Sequence, residues 1–541
     1  MRHGPAKILL FVLFFSIFTG CGPDRRECPG MVFRYNESAN ITTLDPAFSR
    51  NQALIWATHQ LYNGLVQLDS NLRPQPCIAK SWTIDSTRKV YDFCLRHDVY
   101  FHAHPVFGDD FDDPSAERGR PVTAQDFVYS FDRLTSPELA APGAWVMENA
   151  KSYAALNDTL LRIELHEPFP PFLGLLSMKY CSVVPRELDE HPEYDLRDEP
   201  IGTGPFYFKL WAQNEKLVFR RNPFYFESDD TGRVLPYLEA VAVTFVPDKQ
   251  AAFLELVKGN LDFLSGLDAS YKDELLTYDG ELREKYRDRF CLTTLPYLNT
   301  EYLGIVVDSN QRIEPLKERA LRQAMNYGFD RAEMMRYLRN NIGEPATAGF
   351  IPRGLPSFDE VVKGYRYDVD TAKALLRAVG PELPEITLQT NASYLDLCEY
   401  MQAQWNDLGI PVKVELLPPS TLRQMMATSK SPFFRGSWIA DYADAENYLS
   451  LFYSANAAPN GPNYTHFSHP QFDAWYEEAR TETNDSARYA LYRRMDSLLL
   501  YEAPVVPLFY DEVLRFTRKE VRGLTPNALN LLELKRVEVA D

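Results

Sequence analysis

The chain has 541 residues, 45% apolar and 24% charged, with a formal net charge of −18. Cores stop growing at roughly 250 to 300 residues, so at least two lobes are expected, and this composition excludes disordered and repeat classes. Without an N-terminal segment that holds Arg2 and Lys7, 55 basic residues face 75 acidic ones, a field that repels phosphate backbones and argues against nucleic acid as a partner.

Residues 1–20 read as an export signal. Arg2 and Lys7 precede the apolar run Ile8 to Phe18, which is too short to span a bilayer as a helix, and Thr19-Gly20-Cys21 follow. Small residues before a cysteine resemble a bacterial lipobox, with Phe18 where Leu is usual, which makes Cys21 the expected lipidated residue of the mature protein. The alternative is a plain secretion signal with an incidental cysteine. Six cysteines remain, Cys28, Cys77, Cys94, Cys181, Cys291 and Cys398, without CxxC spacing. Disulfides are permitted by export, and Cys77 and Cys94 flank an expected hairpin, but small buried thiols are the simpler reading.

Lys89 to Arg96 alternates, with Tyr91, Phe93 and Leu95 on one face, as a half-buried strand does. Thr123-Ala-Gln-Asp126 has capping-box form and opens a helix from Phe127 to Leu134. Leu316 to Leu338 and Asp370 to Val379 read as amphipathic helices, the latter closed by Gly380. Ile386 and Leu388 read as a strand. Ser393 is the expected cap of a helix carrying Tyr394, Cys398, Met401, Trp405 and Leu408, which Gly409 ends. Val412, Val414 and Leu416 form the next strand, so a parallel strand-helix-strand unit is expected.

No GxSxG, HExxH, Walker A or GxGxxG motif is present. The pairs His102/His104 and His466/His469 lack a spaced cysteine or carboxylate set. The acidic run Asp109-Asp-Phe-Asp-Asp113 lacks the glycine and glutamate offsets of a calcium loop and reads as a solvated insert. No metal, cofactor or catalytic group is assigned.

Several stretches together resemble the extracytoplasmic solute-binding proteins of ABC importers, in the family of oligopeptide- and dipeptide-binding proteins. They are Leu44-Asp-Pro46, Leu61-Tyr-Asn-Gly-Leu65, Ile78-Ala-Lys-Ser-Trp82, Pro121 to Phe131, Ile201-Gly-Thr-Gly-Pro-Phe206 with Leu217 to Tyr225, Leu321 to Asp330, Trp438 to Tyr442 and Ala503 to Tyr510. The order is the family's, from about residue 32 to the C-terminus. The resemblance implies an α/β fold: a two-lobed clamshell of the type II periplasmic-binding-protein kind with an additional inserted domain. On that pattern residues 31–62, 201–296 and 507–541 form lobe I, 63–200 the inserted domain II and 297–506 lobe III.

The segment Gly436 to Tyr448 raises the functional question, because three carboxylates, Asp441, Asp444 and Glu446, sit there among aromatics. By resemblance, Asp441 of the Trp-x-x-Asp-Tyr pattern is a buried acceptor for a peptide's α-ammonium, the one charge every peptide shares. The backbone of Ser437 and Ile439 is implied to offer a strand edge to the ligand, with Trp438 beside its first side chain and Tyr442 next to the anchor. Arg50, Asn51 and Gln52 lie where lobe I faces ligand, and Tyr302 and Trp145 are further wall candidates. Asp444 and Glu446 read as solvated or helix-start acids. Gly304 stands where some oligopeptide binders carry a polar contact.

The expectation is a monomeric, lipid-anchored, non-enzymatic receptor that captures peptides and presents them to an ABC permease in the cytoplasmic membrane. Its place is the periplasm or the outer face of a bacterial membrane. The same fold with a nickel complex, haem, opine or oligosaccharide as ligand is the first alternative. A surface hydrolase using Asp441 and Asp444 is the second, and a sensory or adhesion role the third.

Overall fold

The computed structural model describes residues 31–108, 118–268, 270–308, 315–380 and 382–540. The expected signal segment with Cys21, Cys28 and the acidic run at 109–113 lie outside the described residues. Among the described residues no helix is long and apolar enough to cross a membrane.

One mixed eleven-stranded sheet runs through both lobes. In the first lobe it begins with Phe206–Ala212 and Lys216–Arg221, followed by Ala240–Thr244, Val32–Asn36 and Phe263–Ser265. Two long strands, Val505–Arg518 and Phe290–Ile305, then cross to the second lobe, where Phe433–Ile439, Ile386–Thr390 and Val412–Leu416 follow, and the two-residue strand Glu344–Pro345 pairs with Val505–Arg518 off this path as the eleventh. The two long strands pair as Phe290↔Arg518 through Pro296↔Glu512, lose register, and resume as Thr300↔Tyr510 through Gly304↔Val505. Residues 297–299 thus form a bulge opposite Asp511, midway between the lobes. Extra residues unpaired on one strand bend it locally, which makes this the natural hinge.

Local pattern accounts for many elements. Val90–Leu95 buries Tyr91, Phe93 and Leu95 on alternate positions, and belongs to a separate four-stranded sheet with Ala79–Ile84, Leu160–Leu165 and Ala150–Asn157. The core under that sheet is continuous with the core of the large sheet's first lobe, from Phe33 and Trp56 to Phe93 and Phe172. The capping box holds: Asp126 accepts from the Thr123 N–H at 2.8 Å at the head of the helix Ala124–Thr135. The strand-helix-strand unit is present, with Ile386↔Val412 in parallel register and Trp405 fully buried in the helix Leu395–Asp407.

Two local expectations are corrected. The span 316–338 is two helices, Arg319–Tyr327 and Arg331–Leu338, because Asp330 accepts from the Ala332 and Glu333 N–H groups and starts a new one. Asn391, not Ser393, supplies the cap near the third helix, accepting from the Ser393 N–H through a short 3₁₀ turn. Parallel pairing also occurs in the first lobe, between Val32–Asn36 and Ala240–Thr244. Cys77, Cys94, Cys181, Cys291 and Cys398 are free thiols.

The 201–206 stretch turns out to be a clasp. Gly204 N–H donates to Leu61 C=O at 2.8 Å, Thr203 Oγ1 to Asn63 Oδ1 at 3.1 Å and Asn222 Nδ2 to Gly204 C=O at 3.0 Å. His102 N–H donates to Gly202 C=O at 2.8 Å and its Nε2–H to Gly204 C=O at 3.0 Å. Burial pushes His102 down to about 4, so it stays neutral there. A Cβ on Gly202 would stand 1.9 Å from the Leu61 carbonyl oxygen, so glycine is required by close backbone approach. Gly202→Ala is expected to lower stability by about 1–3 kcal/mol, read as a shift of the urea midpoint at constant slope.

Candidate functional site

The segment that follows the strand Phe433–Ile439 sits at the bulge. Ala440 N–H donates to Leu298 C=O at 2.9 Å, while Leu298 N–H donates to Ala528 C=O at 2.8 Å. On its other side the strand meets a neighbour only at Phe434, opposite Gln389. Among the described residues, Gly436 to Ile439 therefore presents an unpaired strand edge, and Ile439 is 46% exposed at its end. Ser437 and Trp438 are half-buried.

Asn447 organises the turn beyond. Its Oδ1 accepts from the Trp438 indole N–H at 2.9 Å and from the Asp441 backbone N–H at 3.1 Å. The Asp441 side chain is exposed, which corrects the expectation of a buried carboxylate. Surrounding protein nevertheless withdraws enough hydration to raise its pKa above the ordinary range, partly offset by a hydrogen bond from Asn447. Both observations fit a carboxylate that is open to water but flanked by protein. Among the described residues no lysine, arginine or histidine forms an ion pair with it.

The other two carboxylates are internal, so neither is solvated. Asp444 accepts from Tyr492 Oη at 2.7 Å and from the Glu446 N–H at 2.9 Å, with Arg488 at 3.5 Å. Glu446 is buried and accepts from the hydroxyls of Tyr442 and Tyr476. Burial raises the pKa of both. They brace the turn.

The remaining candidates divide. Arg50 is exposed and makes no ion pair with the described residues, and Gln52 is exposed beside it. Asn51 is spent as the cap of the helix Gln52–Leu61, accepting from the Leu54 N–H at 3.1 Å. Tyr302 is 4% exposed and packs edge-on to Phe350 with its ring against Gly436, so it belongs to the core beneath the strand and not to a wall. Gly304 lies under the Phe434 ring, which fills the space a side chain would need. Trp145 lies 6.4 Å from Tyr442, ring to ring. The polar group of Tyr442 is engaged by Glu446 and is not free for a ligand.

Tyr180, in the turn Lys179–Cys181, was not singled out from sequence, since nothing in that turn marks it. It covers Gly143, and its hydroxyl is pushed up to about 12, first by burial and then by the Asp441 charge, with Arg50 opposing. Both charges thus lie within electrostatic reach of one hydroxyl. Of the histidine pairs, His104 and His469 cap short turns or helices, and among the described residues no three His, Cys, Asp or Glu converge on a metal position.

Residues 73–460 match the bacterial extracellular solute-binding proteins, family 5. The chain belongs to that family. It is a transport binding protein, not an enzyme. It is 23% identical to the dipeptide-binding protein DppE of Bacillus subtilis, over 95% of this chain and 93% of that one. A periplasmic binding protein of Helicobacter pylori, solved with the peptide STSA, superposes with a TM-score of 0.78 at 24% identity, covering 94% of this chain and 98% of the other. The NikZ protein of Campylobacter jejuni, solved with Ni(L-His), superposes at 0.74 with 22% identity, covering 94% and 97%. These solved structures show that the fold of this solute-binding protein is the two-lobed one, with its extra domain.

Support for the site strand comes from below. Asp496 accepts from the Phe350 N–H at 2.6 Å and the Ile351 N–H at 3.3 Å, and Phe350 C=O accepts from Thr300 Oγ1 at 3.0 Å. Burial pushes the Asp496 carboxyl up to about 7. The native state therefore keeps a proton that the unfolded chain releases near pH 4. Stability contributed by this group falls as pH rises from about 4, and the loss is complete above about 7. Asp496→Asn is expected to flatten that slope by up to about 1.4 kcal/mol per pH unit, measured by urea unfolding across the window.

Proposed function

We propose that this protein is the extracytoplasmic receptor of an ABC importer for short peptides, and that Asp441 takes the peptide α-ammonium. The observation that carries the reading is an exposed carboxylate that forms no ion pair with the described residues, next to an unpaired strand edge. An extended peptide adds to such an edge through its own backbone, with Ser437 and Ile439 as the pairing residues, whatever its side chains. Trp438 stands beside the first side chain, and Arg50 of the first lobe, with Tyr180 of the inserted domain, faces the ligand from the opposite side. Broad selectivity follows, since shared backbone groups supply the contacts and water fills the side-chain pockets.

The division into residues 31–62, 201–296 and 507–541, an inserted 63–200 and a second lobe of 297–506 is part of this proposal. So are the lipid anchor at Cys21, the cytoplasmic-membrane permease as partner, and a monomeric state. Cys21→Ser is expected to release the exported protein into the soluble fraction, read by membrane fractionation; continued membrane association would remove the anchor from the proposal.

A charge-assisted hydrogen bond contributes about 1.5–3 kcal/mol, so Asp441→Asn is expected to weaken tri-alanine binding about 10- to 150-fold by calorimetry. N-acetyl-tri-alanine should show a similar loss on the wild-type protein. Because a bound ammonium favours the ionised carboxyl, lowering the pH through the raised Asp441 pKa should weaken binding further. Equal affinity for both peptides would remove the ammonium anchor. Tight binding of a nickel–histidine complex in its place would favour the ligand class of the Campylobacter relative.

A further inference from the structure

Tyr442 changes cores. Ala440, Ala445 and Tyr448 around it pack in the core of the second lobe, whereas its own side chain, 5% exposed, is buried with residues of the first lobe and its inserted domain. Its ring centroid lies 6.4 Å from that of Trp145, with 39° between the planes. A Cβ placed on Gly174, in the short helix Phe172–Leu176, would stand 3.7 Å from the Tyr442 Cβ. The hydroxyl turns back to its own lobe and donates to Glu446, which also accepts from Tyr476. The ring's apolar surface thus serves one lobe and its polar end the other.

We propose that Tyr442 is a positioning residue that couples occupation of the neighbouring carboxylate to closure of the two lobes. The coupling rests on Asp441 being the ligand's anchor; the closing contact itself does not. Parting the lobes would strip the ring of Trp145 and Gly174 and expose it to water, a cost that favours closure even without ligand. A single peptide bond separates that ring from the carboxylate. The turn is held by Asp441 N–H on Asn447 Oδ1 at 3.1 Å and by Asp444 N–H on Tyr442 C=O at 2.9 Å. A ligand gripping Asp441 therefore fixes the place where the ring docks, and a docked ring holds the carboxylate in place for the ligand. Two contacts that favour one conformation strengthen each other by the same factor in both directions.

The test uses the full mature chain, X-ray scattering for the radius of gyration and calorimetry with tri-alanine. Tyr442→Ala removes the ring. Gly174→Leu obstructs its seat from the opposite wall without touching Asp441, and Tyr442→Phe keeps the ring while releasing Glu446. The first two are expected to leave the ligand-free protein more expanded than wild type and to weaken tri-alanine at least tenfold, with unchanged far-ultraviolet circular dichroism. Tyr442→Phe should stay compact. Should Tyr442→Ala fail to fold, the other two variants still decide the matter. Wild-type radius and affinity in Gly174→Leu would overturn the proposal, and so would weakened binding with unchanged radii, which marks a purely local contact. If tri-alanine and its N-acetyl form bind alike, the Asp441 anchor fails and the coupling with it; the ligand-free radii would then still report on the closing contact.

Discussion

A three-residue bulge in one of two long strands governs this molecule. The strands Phe290–Ile305 and Val505–Arg518 pair on both sides of residues 297–299 and lose register between them, so the sheet is continuous but bends there. The bulge is not left as loose chain: the backbone of Leu298 is committed in both directions, to Ala528 and to Ala440. The acceptor it offers to Ala440 lies one residue before the free carboxylate. The bulge and the segment that carries Asp441 are therefore joined through a backbone bond, so bending of the sheet at residues 297–299 is felt by that segment.

Three acids close together in sequence fall into two environments, and the difference explains why they occur together. Glu446 accepts from two tyrosine hydroxyls, and Asp444 from a tyrosine, a backbone amide and a distant arginine. Burying a carboxylate is costly unless its oxygens are satisfied, and these are. The return on that cost is a turn with little freedom, so the exposed acid at 441 is held by its braced neighbours. Removing either strut would leave tyrosine hydroxyls without their carboxylate acceptor within the core, and the turn would loosen with them.

Much of the fold was legible because it follows from local rules. Alternation marked Val90–Leu95, heptad-like spacing marked the helix around Trp405, and a capping box marked Ala124. Errors arose where two local signals competed: Asn391 and Ser393 both suit a cap, and Asp330 starts a helix inside a stretch whose apolar spacing continues unbroken. The site was legible less evenly. The aromatic pattern draws attention to Asp441, but its exposure, against the expected burial, is set by the surrounding fold. Tyr180 and the true place of Tyr442 could not be read, since each is defined by contacts with residues about 260 or more positions away in the chain. Conversely, the stretch around Gly202 and Gly204, the most recognisable on the page, secures the junction of the first lobe and its inserted domain instead of touching the groove.

The electrostatic design of the groove follows from where the cations are. Arg435 lies in the same strand as Ser437 but pairs with buried Glu301, while Arg339 faces Asp511 at 3.3 Å and Arg488 bonds Asp485 at 2.9 Å. These three arginines are thus engaged by acids other than Asp441. Asp441 itself forms no ion pair with the described residues and stands beside an open strand edge, in a protein whose net charge of −18 attracts cations.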